Sequence, residues 1–311
     1  MKSSKVLVTG GTGFLGSALV KNLKSNGFTN VVAVGSKDYD LTKREEVEKL
    51  FCDVEPDYVF HFAAKVGGIA DIKAHPADYY YENLLMCTFV LDECVKHNVK
   101  KLVAIGTNCS YPDRASVPFR ESDLFNGYPQ ETNAPYGIIK RAFYQQCLSY
   151  KQQYGQDFIY LIPANAYGVN DHFDEESGHV IPSLIKKFAN AVKDGSEVTL
   201  WGTGRATREF IYIDDLCELI TRAFIYYDST QPLNIATDTE TPIVELAEFI
   251  AMLTGYRAQI HWDTDKPEGY IRKCLDSTKM KEHLGEFEFT PLYRGLEKTI
   301  NWAYENDIIR R

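Results

Sequence analysis

A glycine-rich segment near the N-terminus constrains the fold of this 311-residue chain more than any other feature. Gly10, Gly13 and Gly16 have the spacing G-x-x-G-x-x-G, an apolar run at residues 5–9 precedes them, and residues 17–24 have helical spacing. In a strand–turn–helix unit, such glycines permit a tight turn and let a pyrophosphate approach the N–H groups of the helix N-terminus. The segment therefore predicts a dinucleotide-binding site.

Strand and helix patterns alternate over the first half of the chain. Further apolar runs predict strands at residues 31–34, 58–63, 101–105 and 157–162, and helical spacing predicts helices at residues 45–52, 79–97 and 136–154. This alternation is typical of an α/β protein with a Rossmann-type, doubly wound parallel sheet. After residue 165 the pattern loosens, with a further helix predicted at residues 182–193. We expect residues 1–165 to form the dinucleotide-binding domain and residues 166–311 mainly a smaller α/β substrate-binding domain, partly interleaved with the first.

Composition and charge exclude several classes of protein. The net charge of -9 argues against a nucleic-acid partner, because binding to a phosphate backbone needs an excess of Lys and Arg. There is no apolar stretch of the roughly 18 residues that a membrane span needs, and no signal-peptide pattern at the start. We therefore expect a cytoplasmic protein with no membrane partner.

The seven cysteines predict reduced thiols rather than disulfides or a metal site. Their number is odd, they are scattered, and no C-x-x-C pair occurs. For all of them except Cys109 we expect the role of a small buried hydrophobic residue. No metal is expected.

The end of the second predicted strand indicates which dinucleotide binds. In this position an acidic residue selects the 2′-hydroxyl of NAD, whereas a cation accommodates the 2′-phosphate of NADP. Gly35 and Ser36 provide no carboxylate, and Lys37 provides an ammonium group. The sequence therefore favours NADPH/NADP, with Asp40 and Leu41 placed to flank the adenine.

Tyr136 and Lys140 form a Y-x-x-x-K pair at the start of a long predicted helix. Four residues apart, the two side chains share one face, where the lysine charge can lower the pKa of the phenol. Thr107, just past the fourth predicted strand, adds a hydroxyl that can contact a substrate carbonyl. These three residues together predict a reductase site in which Tyr136 acts as the acid.

With these motifs, the chain resembles the extended short-chain dehydrogenase/reductases, and among them the GDP-L-fucose synthase family. The resemblance covers nearly the whole chain. Its most specific segments are residues 61–69, Cys109 with 111–112, Asn165 with 167–168, 170–171, 179–182, 201–204 and 208–210. It also places residues 263–269 and 272–273 near the nucleotide.

The resemblance implies an NADPH-dependent 3,5-epimerase/4-reductase of a GDP-4-keto-6-deoxy sugar that works as a homodimer. It implies that Tyr136 donates a proton to the C4 oxygen with the support of Lys140 and Thr107, and that Cys109 and His179 are the base and acid of epimerisation. The cofactor-binding residues that it implies are Gly10, Thr12, Gly13, Phe14, Leu15, Gly16, Ser36, Lys37, Asp40, Leu41, Ala63, Ala64, Tyr136, Lys140, Pro163, Asn165 and His179. The substrate-binding residues that it implies are Asn165, Lys187, Trp201, Gly202, Arg208 and Lys266.

The chain departs from the family pattern at several positions. The family has Ser-Ser-Cys where this chain has residues 107–109, an arginine at Lys187, a proline at Val169 and a threonine at Ala164. Thr107 keeps the hydroxyl that reduction needs. Lys187 lacks the bidentate fork that arginine offers to phosphate.

Three other functions are compatible with the fold. A GDP-4-keto-deoxyhexose or keto-heptose C4-reductase without epimerase activity needs only Tyr136, Lys140 and Thr107. A sugar-nucleotide 4,6-dehydratase needs a carboxylate where this chain has Asn108, and is therefore disfavoured. An NADP(H)-sensing protein without catalysis is disfavoured because the Tyr/Lys pair is present.

Overall fold

The computed structural model describes residues 1–174, 178–266 and 270–310. Their strands are β1 (Val6–Thr9), β2 (Val31–Val34), β3 (Tyr58–His61), β4 (Lys101–Ile105), β5 (Phe158–Pro163), β6 (Asn165–Tyr167), β7 (Val198–Trp201), β8 (Thr207–Tyr212), β9 (Leu233–Ile235), β10 (Glu240–Pro242), β11 (Ile260–Asp263) and β12 (Arg272–Lys273). Their helices are α1 (Phe14–Ser25), α2 (Arg44–Val54), α3 (Ile69–Ala74), α4 (Pro76–Lys96), α5 (Ala134–Tyr154), α6 (Val180–Asp194), α7 (Ile213–Tyr226), α8 (Ile243–Thr254), α9 (Thr278–Leu284) and α10 (Leu292–Glu305).

A six-stranded parallel sheet forms the centre of the molecule, in the order β2-β1-β3-β4-β5-β9. The predicted Rossmann-type α/β fold is thereby confirmed. The direction of strand succession reverses between β1 and β3, and in such sheets ligands bind in the crevice outside the carboxyl ends of the strands at this point. The glycine segment follows β1 and Ala63 lies just beyond β3, so both predicted cofactor segments border that crevice.

The central strands are mostly apolar. Val6, Leu7 and Val8 of β1 are fully buried, as are Leu102 and Val103 of β4. Continuous apolar strands are expected where helices cover both faces of a parallel sheet. Here α1 packs against α7, and α4 packs against both α2 and α5.

The second half of the chain contributes to the central sheet as well as to smaller ones. β9 pairs with β5 through Leu161 and Leu233, so the chain returns to the first sheet after leaving it. β6, β10 and β12 all pair with β8, and β7 pairs with β11. These smaller sheets lie after residue 164 in the sequence and carry three of the predicted substrate-binding residues, Asn165, Trp201 and Arg208.

Two proline residues account for helices that begin earlier than the predicted bounds. α4 begins at Pro76 rather than at residue 79, and α5 begins at Ala134, with Pro135 in its first turn. Proline suits the first turn of a helix because the N–H group that it lacks would have no partner inside the helix. The earlier start places Tyr136 in the first turn of α5.

The cysteines are free thiols, and the expectation of burial holds for five of the six that it concerned: Cys87, Cys94, Cys147, Cys217 and Cys274. It was wrong for Cys52, which is exposed. Cys52 lies on α2, where Leu50, Phe51 and Val54 occupy the buried face. A single position on the opposite face of an amphipathic helix is left to solvent whatever its side chain.

Within the described residues, none of the helices combines the length and apolar character that a membrane span requires.

Candidate active site

The glycine segment forms a turn that leaves no room for a side chain at Gly10 or Gly16. Gly10 has a φ of +67°, and a Cβ atom there would lie 2.7 Å from the backbone nitrogen of Ala63. A Cβ at Gly16 would overlap the carbonyl oxygen of Gly10. Gly13 is the N-cap of α1, so the free N–H groups of this helix begin at the turn that contains Thr12, with Phe14 and Leu15 following. This geometry suits a pyrophosphate group.

The end of β2 lies against the glycine turn. A Cβ at Gly35 would overlap the Thr12 hydroxyl, so the two loops are in direct contact. Ser36 and Lys37 follow, and the Lys37 side chain is exposed. Asp38, which sequence analysis did not consider, accepts a hydrogen bond from the Gly35 nitrogen at 2.8 Å. Its carboxylate thus stabilises this turn.

Asp40 and Leu41 occupy different environments. The Asp40 carboxylate accepts hydrogen bonds from the backbone nitrogen and hydroxyl of Thr42, at 3.1 and 2.6 Å, while Leu41 is buried in the core. The Leu41 side chain therefore anchors this loop to the hydrophobic core. A role beside the adenine remains a prediction for both residues.

Tyr136 and Lys140 lie on one face of α5, as their spacing predicted. The Lys140 Nζ atom is 5.6 Å from the centroid of the Tyr136 ring. Gly137 lets this helix approach the chain that follows β4, because a Cβ there would be 2.5 Å from the Cys109 carbonyl oxygen. The turn Asn108–Ser110 is fixed to α5, since the Ser110 hydroxyl donates to the Gly137 carbonyl at 3.1 Å.

The direction of the Tyr136 pKa differs from the one that sequence analysis expected. Burial raises the pKa of Tyr136 instead of lowering it, and burial also lowers the pKa of Lys140. The expectation counted the lysine charge and omitted the cost of burying a phenolate. A raised pKa keeps Tyr136 protonated, which is the form that donates a proton. Burial and the Lys140 charge lower the pKa of nearby His61 to about 3, so His61 remains neutral.

Thr107 and Cys109 follow β4 and belong to one hydrogen-bonded turn. The Thr107 hydroxyl accepts from the Cys109 backbone nitrogen at 3.2 Å, and the Cys109 Sγ atom lies 3.5 Å from Asn108 Oδ1. Asn108 Nδ2 donates to Asn165 Oδ1 at 3.2 Å, and Asn165 Nδ2 donates to the Glu209 carbonyl at 2.8 Å.

This chain of hydrogen bonds determines whether the Cys109 thiol donates or accepts in its contact with Asn108. The Glu209 carbonyl can only accept, so Asn165 must present its NH2 group there and its oxygen to Asn108. Asn108 must then present its own oxygen to Cys109, and the thiol donates. From the sequence, Asn108 stood out only as a departure from the family's Ser-Ser-Cys and as a residue that cannot replace the carboxylate of a dehydratase. Because its partners lie in β6 and β8, no local pattern could reveal this role.

The hydrogen-bond partner of His179 is Asp171, and not Tyr136, Lys140, Thr107 or Cys109. Its Nδ1 atom lies 3.4 Å from Asp171 Oδ1, and this hydrogen bond raises the pKa of His179. His179 is the N-cap residue of α6. Asp171 appeared in the sequence analysis only as part of a family segment, with no role of its own.

The remaining predicted cofactor residues lie at the carboxyl edge of the sheet. Ala63 and Ala64 follow β3, and Pro163 ends β5, directly before Ala164 and Asn165. The Asn165 side chain uses an N–H and an oxygen lone pair for its protein partners, so only its remaining lone pair and N–H are available to a ligand.

The predicted substrate residues come from three different segments. Trp201 is 63% exposed at the end of β7, the Lys266 Nζ atom lies 5.9 Å from its ring centroid, and Gly202 turns the chain with a φ of +77°. Lys187 on α6 donates to the Thr199 carbonyl at 3.3 Å, and Arg208 on β8 donates to the Tyr270 carbonyl at 2.7 Å. Residues 267–269 of the predicted nucleotide segment lie outside the described residues.

Lys273 adds a cation that sequence analysis named only within a segment near the nucleotide. Burial lowers its pKa, and its charge interacts with Cys109 and Arg208. Its Nζ atom donates to Gln130 Oε1 at 3.3 Å. A lysine near the end of a two-residue strand carries no sequence signal for such a position.

In the described part of the chain, no group of three or more His, Cys, Asp or Glu side chains is arranged to hold a metal ion.

The chain is similar to several known proteins. The NAD dependent epimerase/dehydratase family model matches residues 6–236. GDP-L-fucose synthase 1 of Arabidopsis thaliana is 39% identical over 306 residues, which cover 98% of this chain and 94% of that protein. A GDP-L-fucose synthetase from Naegleria fowleri bound to NADP superimposes with a TM-score of 0.92 and 27% identity, covering 100% of this chain and 97% of that one.

A third relative is a heptose reductase. The crystal structure of a GDP-6-OMe-4-keto-L-xylo-heptose reductase from C. jejuni superimposes with a TM-score of 0.92 and 29% identity, covering 98% of this chain and 99% of that one. The chain belongs to the NAD dependent epimerase/dehydratase family and, within it, to the GDP-L-fucose synthases.

Proposed function

We propose that this protein is an NADPH-dependent 3,5-epimerase/4-reductase of a GDP-4-keto-6-deoxy sugar. The observation that carries the proposal is the contact between α5 and the turn after β4. Through Gly137 this contact brings the Tyr136 and Lys140 pair next to Thr107 and Cys109. A reductase acid and a thiol able to exchange protons thus lie on two segments that are in direct contact.

Reduction at C4 requires a proton on the oxygen that becomes a hydroxyl. Tyr136 remains protonated because burial raises its pKa, and it can donate to that oxygen. The Lys140 ammonium, close to the ring face, stabilises the phenolate that forms. The Thr107 hydroxyl is a second donor to the same oxygen.

NADPH supplies the hydride in this proposal. The glycine turn fits its pyrophosphate, because it leads into the N-terminus of α1 at Gly13, where the first N–H groups of the helix have no partner within the helix. Lys37 would face the 2′-phosphate, and Lys140 would hold the nicotinamide ribose. Ala63, Ala64 and Pro163 would line the remaining edge.

Epimerisation requires removal of a proton beside the C4 ketone and its return from the opposite face. Both steps preserve the number of electrons on the sugar, so no oxidant is needed. In this proposal Cys109 and His179 exchange these protons, since a thiol and an imidazole are groups able to do so. Arg208, Lys187 and Lys266 would hold the GDP diphosphate, with Trp201 beside them.

A C4-reductase of a GDP-keto-heptose is the second candidate. Two observations favour it: the C. jejuni relative acts on a heptose, and Asn108 presents an acceptor to the Cys109 thiol in place of the family's serine. The Cys109 thiol would have to break this hydrogen bond before it could exchange a proton with the sugar.

An assay with several GDP-4-keto sugars distinguishes these candidates. We expect NADPH oxidation with GDP-4-keto-6-deoxymannose, and NMR of the product should show inversion at C3 and C5. Reduction without inversion, or a clear preference for a keto-heptose, would instead support the second candidate. No NADPH oxidation with any of these sugars would refute both.

The charge of residue 37 should decide the choice of dinucleotide. In Lys37→Asp we expect the ratio of kcat/KM for NADPH to that for NADH to fall about tenfold or more, because a cation beside the 2′-phosphate becomes an anion and each such interaction is worth about 1 kcal/mol. Lys24→Asp, an exposed change at the far end of α1, is the control. A wild-type protein that uses NADH better than NADPH would contradict the assignment.

We also propose that two chains associate through α4 and α5. Tyr80 and Tyr81 on α4 and Tyr154 on α5 are exposed aromatic residues on helices that already pack together. Light scattering at micromolar concentration should give about twice the 35.4 kDa of one chain. Tyr81→Glu should shift the protein toward the monomer, whereas Tyr226→Glu, an equally exposed change on α7, should not. A wild-type monomer would refute this proposal.

We place the protein in the cytoplasm and divide it at residue 165. Free thiols throughout and a reduced cofactor both suit a reducing compartment. Residues 1–165 would bind NADP(H), and residues 166–311 would bind mainly the sugar nucleotide.

A further inference from the structure

Asp171 is a buried carboxylate that the proposed reaction does not yet use. Its side chain is 2% exposed, whereas that of its partner His179 is 50% exposed. Asp171 Oδ1 accepts from the His172 backbone nitrogen at 2.8 Å and faces His179 Nδ1 at 3.4 Å. The Oδ2 atom is buried with no hydrogen-bond partner within the described residues.

Burying a carboxylate with one unpaired oxygen costs free energy of folding, and such groups in proteins often have a functional role. The turn after β6 directs Asp171 inward: Asn170 has a φ of +64°, in the left-handed region, and Gly168 also has a positive φ. A few residues later His179 begins α6 as its N-cap. A left-handed backbone conformation in this turn thus places the Asp171 carboxylate next to the His179 imidazole.

The N-terminal end of a helix disfavours a positive charge, because the helix dipole is positive there. An imidazolium at position 179 therefore needs a compensating anion. The hydrogen bond and charge of Asp171 raise the pKa of His179 against the lowering effect of burial. Lys186 and Lys187, the nearest cations on α6, donate to the carbonyls of Ile308 and Thr199.

We infer that Asp171 is a positioning residue for His179. Its carboxylate accepts a hydrogen bond from the Nδ1–H group of His179 and so turns Nε2 toward the sugar. It also stabilises the imidazolium that proton transfer produces. In one direction, the proton of a C–H bond beside the C4 ketone moves to Nε2, and the electron pair remains on the sugar as an enolate. In the other direction, the N–H proton returns to carbon and the imidazole becomes neutral. In both directions the proton moves only between carbon and the imidazole, while Asp171 accepts the Nδ1–H hydrogen bond, as in hydrolase triads.

This inference rests on the proposed function, but its first test does not need a substrate. In Asp171→Asn, the midpoint of the His179 titration, followed by NMR of histidine-labelled protein and assigned with His179→Gln, should fall by about one pH unit. Glu197→Gln is the matched control, because Glu197 pairs with His261 at 3.2 Å on the surface. An unchanged His179 midpoint in Asp171→Asn would overturn the inference even if the enzyme proved to have another activity.

The second test separates positioning from stability. With GDP-4-keto-6-deoxymannose in D2O, Asp171→Asn should slow deuterium incorporation by about 10²-fold while NADPH binding and hydride transfer change less than threefold. The double variant Asp171→Asn/His179→Gln should exchange no more slowly than His179→Gln alone, because one residue acts through the other. Equal losses of exchange and reduction, or additive losses in the double variant, would make Asp171 merely structural. Absence of exchange in the wild type would refute the proposed function and leave the titration to decide the role of Asp171.

Discussion

Tyr136→Phe should lower the rate of NADPH oxidation with a GDP-4-keto sugar by about 10³-fold, the effect expected for loss of a general acid. The hydroxyl is the only group removed, and the ring remains to pack beside Lys140. Without the phenol, the oxygen at C4 has no proton donor held by a lysine one turn away. Stopped-flow absorbance at the NADPH band measures the loss.

Cofactor binding should survive this substitution. The glycine turn and the end of β2 bind the pyrophosphate and the 2′-phosphate in our proposal, and neither contacts the phenol oxygen. We therefore expect the Kd of NADPH to change less than threefold in Tyr136→Phe, as measured by calorimetry. Tyr144→Phe removes a hydroxyl two turns along the same helix and should keep the wild-type rate. Retention of more than a tenth of the activity in Tyr136→Phe would assign the proton to another donor.

The second large effect separates epimerisation from reduction. In Cys109→Ser we expect incorporation of solvent deuterium at C3 and C5 to fall by 10² to 10⁴-fold, about the range of a lost acid or base. Serine can still donate to Asn108 Oδ1, so the turn after β4 keeps its hydrogen bonds. Reduction of the 4-keto sugar should continue, because Tyr136, Lys140 and Thr107 are unchanged, and the product should be unepimerised.

His179→Gln tests the other group of the pair. Glutamine keeps a hydrogen-bonding side chain at the start of α6 but cannot exchange a proton near neutral pH. We expect the same loss of deuterium exchange with reduction retained. Cys52→Ser, a change of an exposed thiol on α2, is the control for Cys109→Ser. If both site variants exchanged deuterium at the wild-type rate, Cys109 and His179 would be structural and the protein would be a reductase alone.

The sequence by itself determined the features that depend on neighbours along the chain. The strand, glycine turn and helix at the N-terminus follow from local spacing, and so does the shared face of Tyr136 and Lys140, because residues four apart in a helix are adjacent. Strand bounds such as Val31–Val34 and Lys101–Ile105 agree with the prediction, since continuous apolar runs are what a covered parallel sheet requires.

Only the tertiary structure decided which distant residues these residues contact and how deeply they are buried. Leu233–Ile235 joins a sheet that begins more than 200 residues earlier, and the bonds of Asn165 to Asn108 and Glu209 join residues 57 and 44 positions away. The direction of the Tyr136 pKa was mispredicted, because the cost of burying a phenolate depends on every group packed around it. Asp171 and His179 lie in no common helix or strand, so their pairing appears only when the turn after β6 folds back against α6.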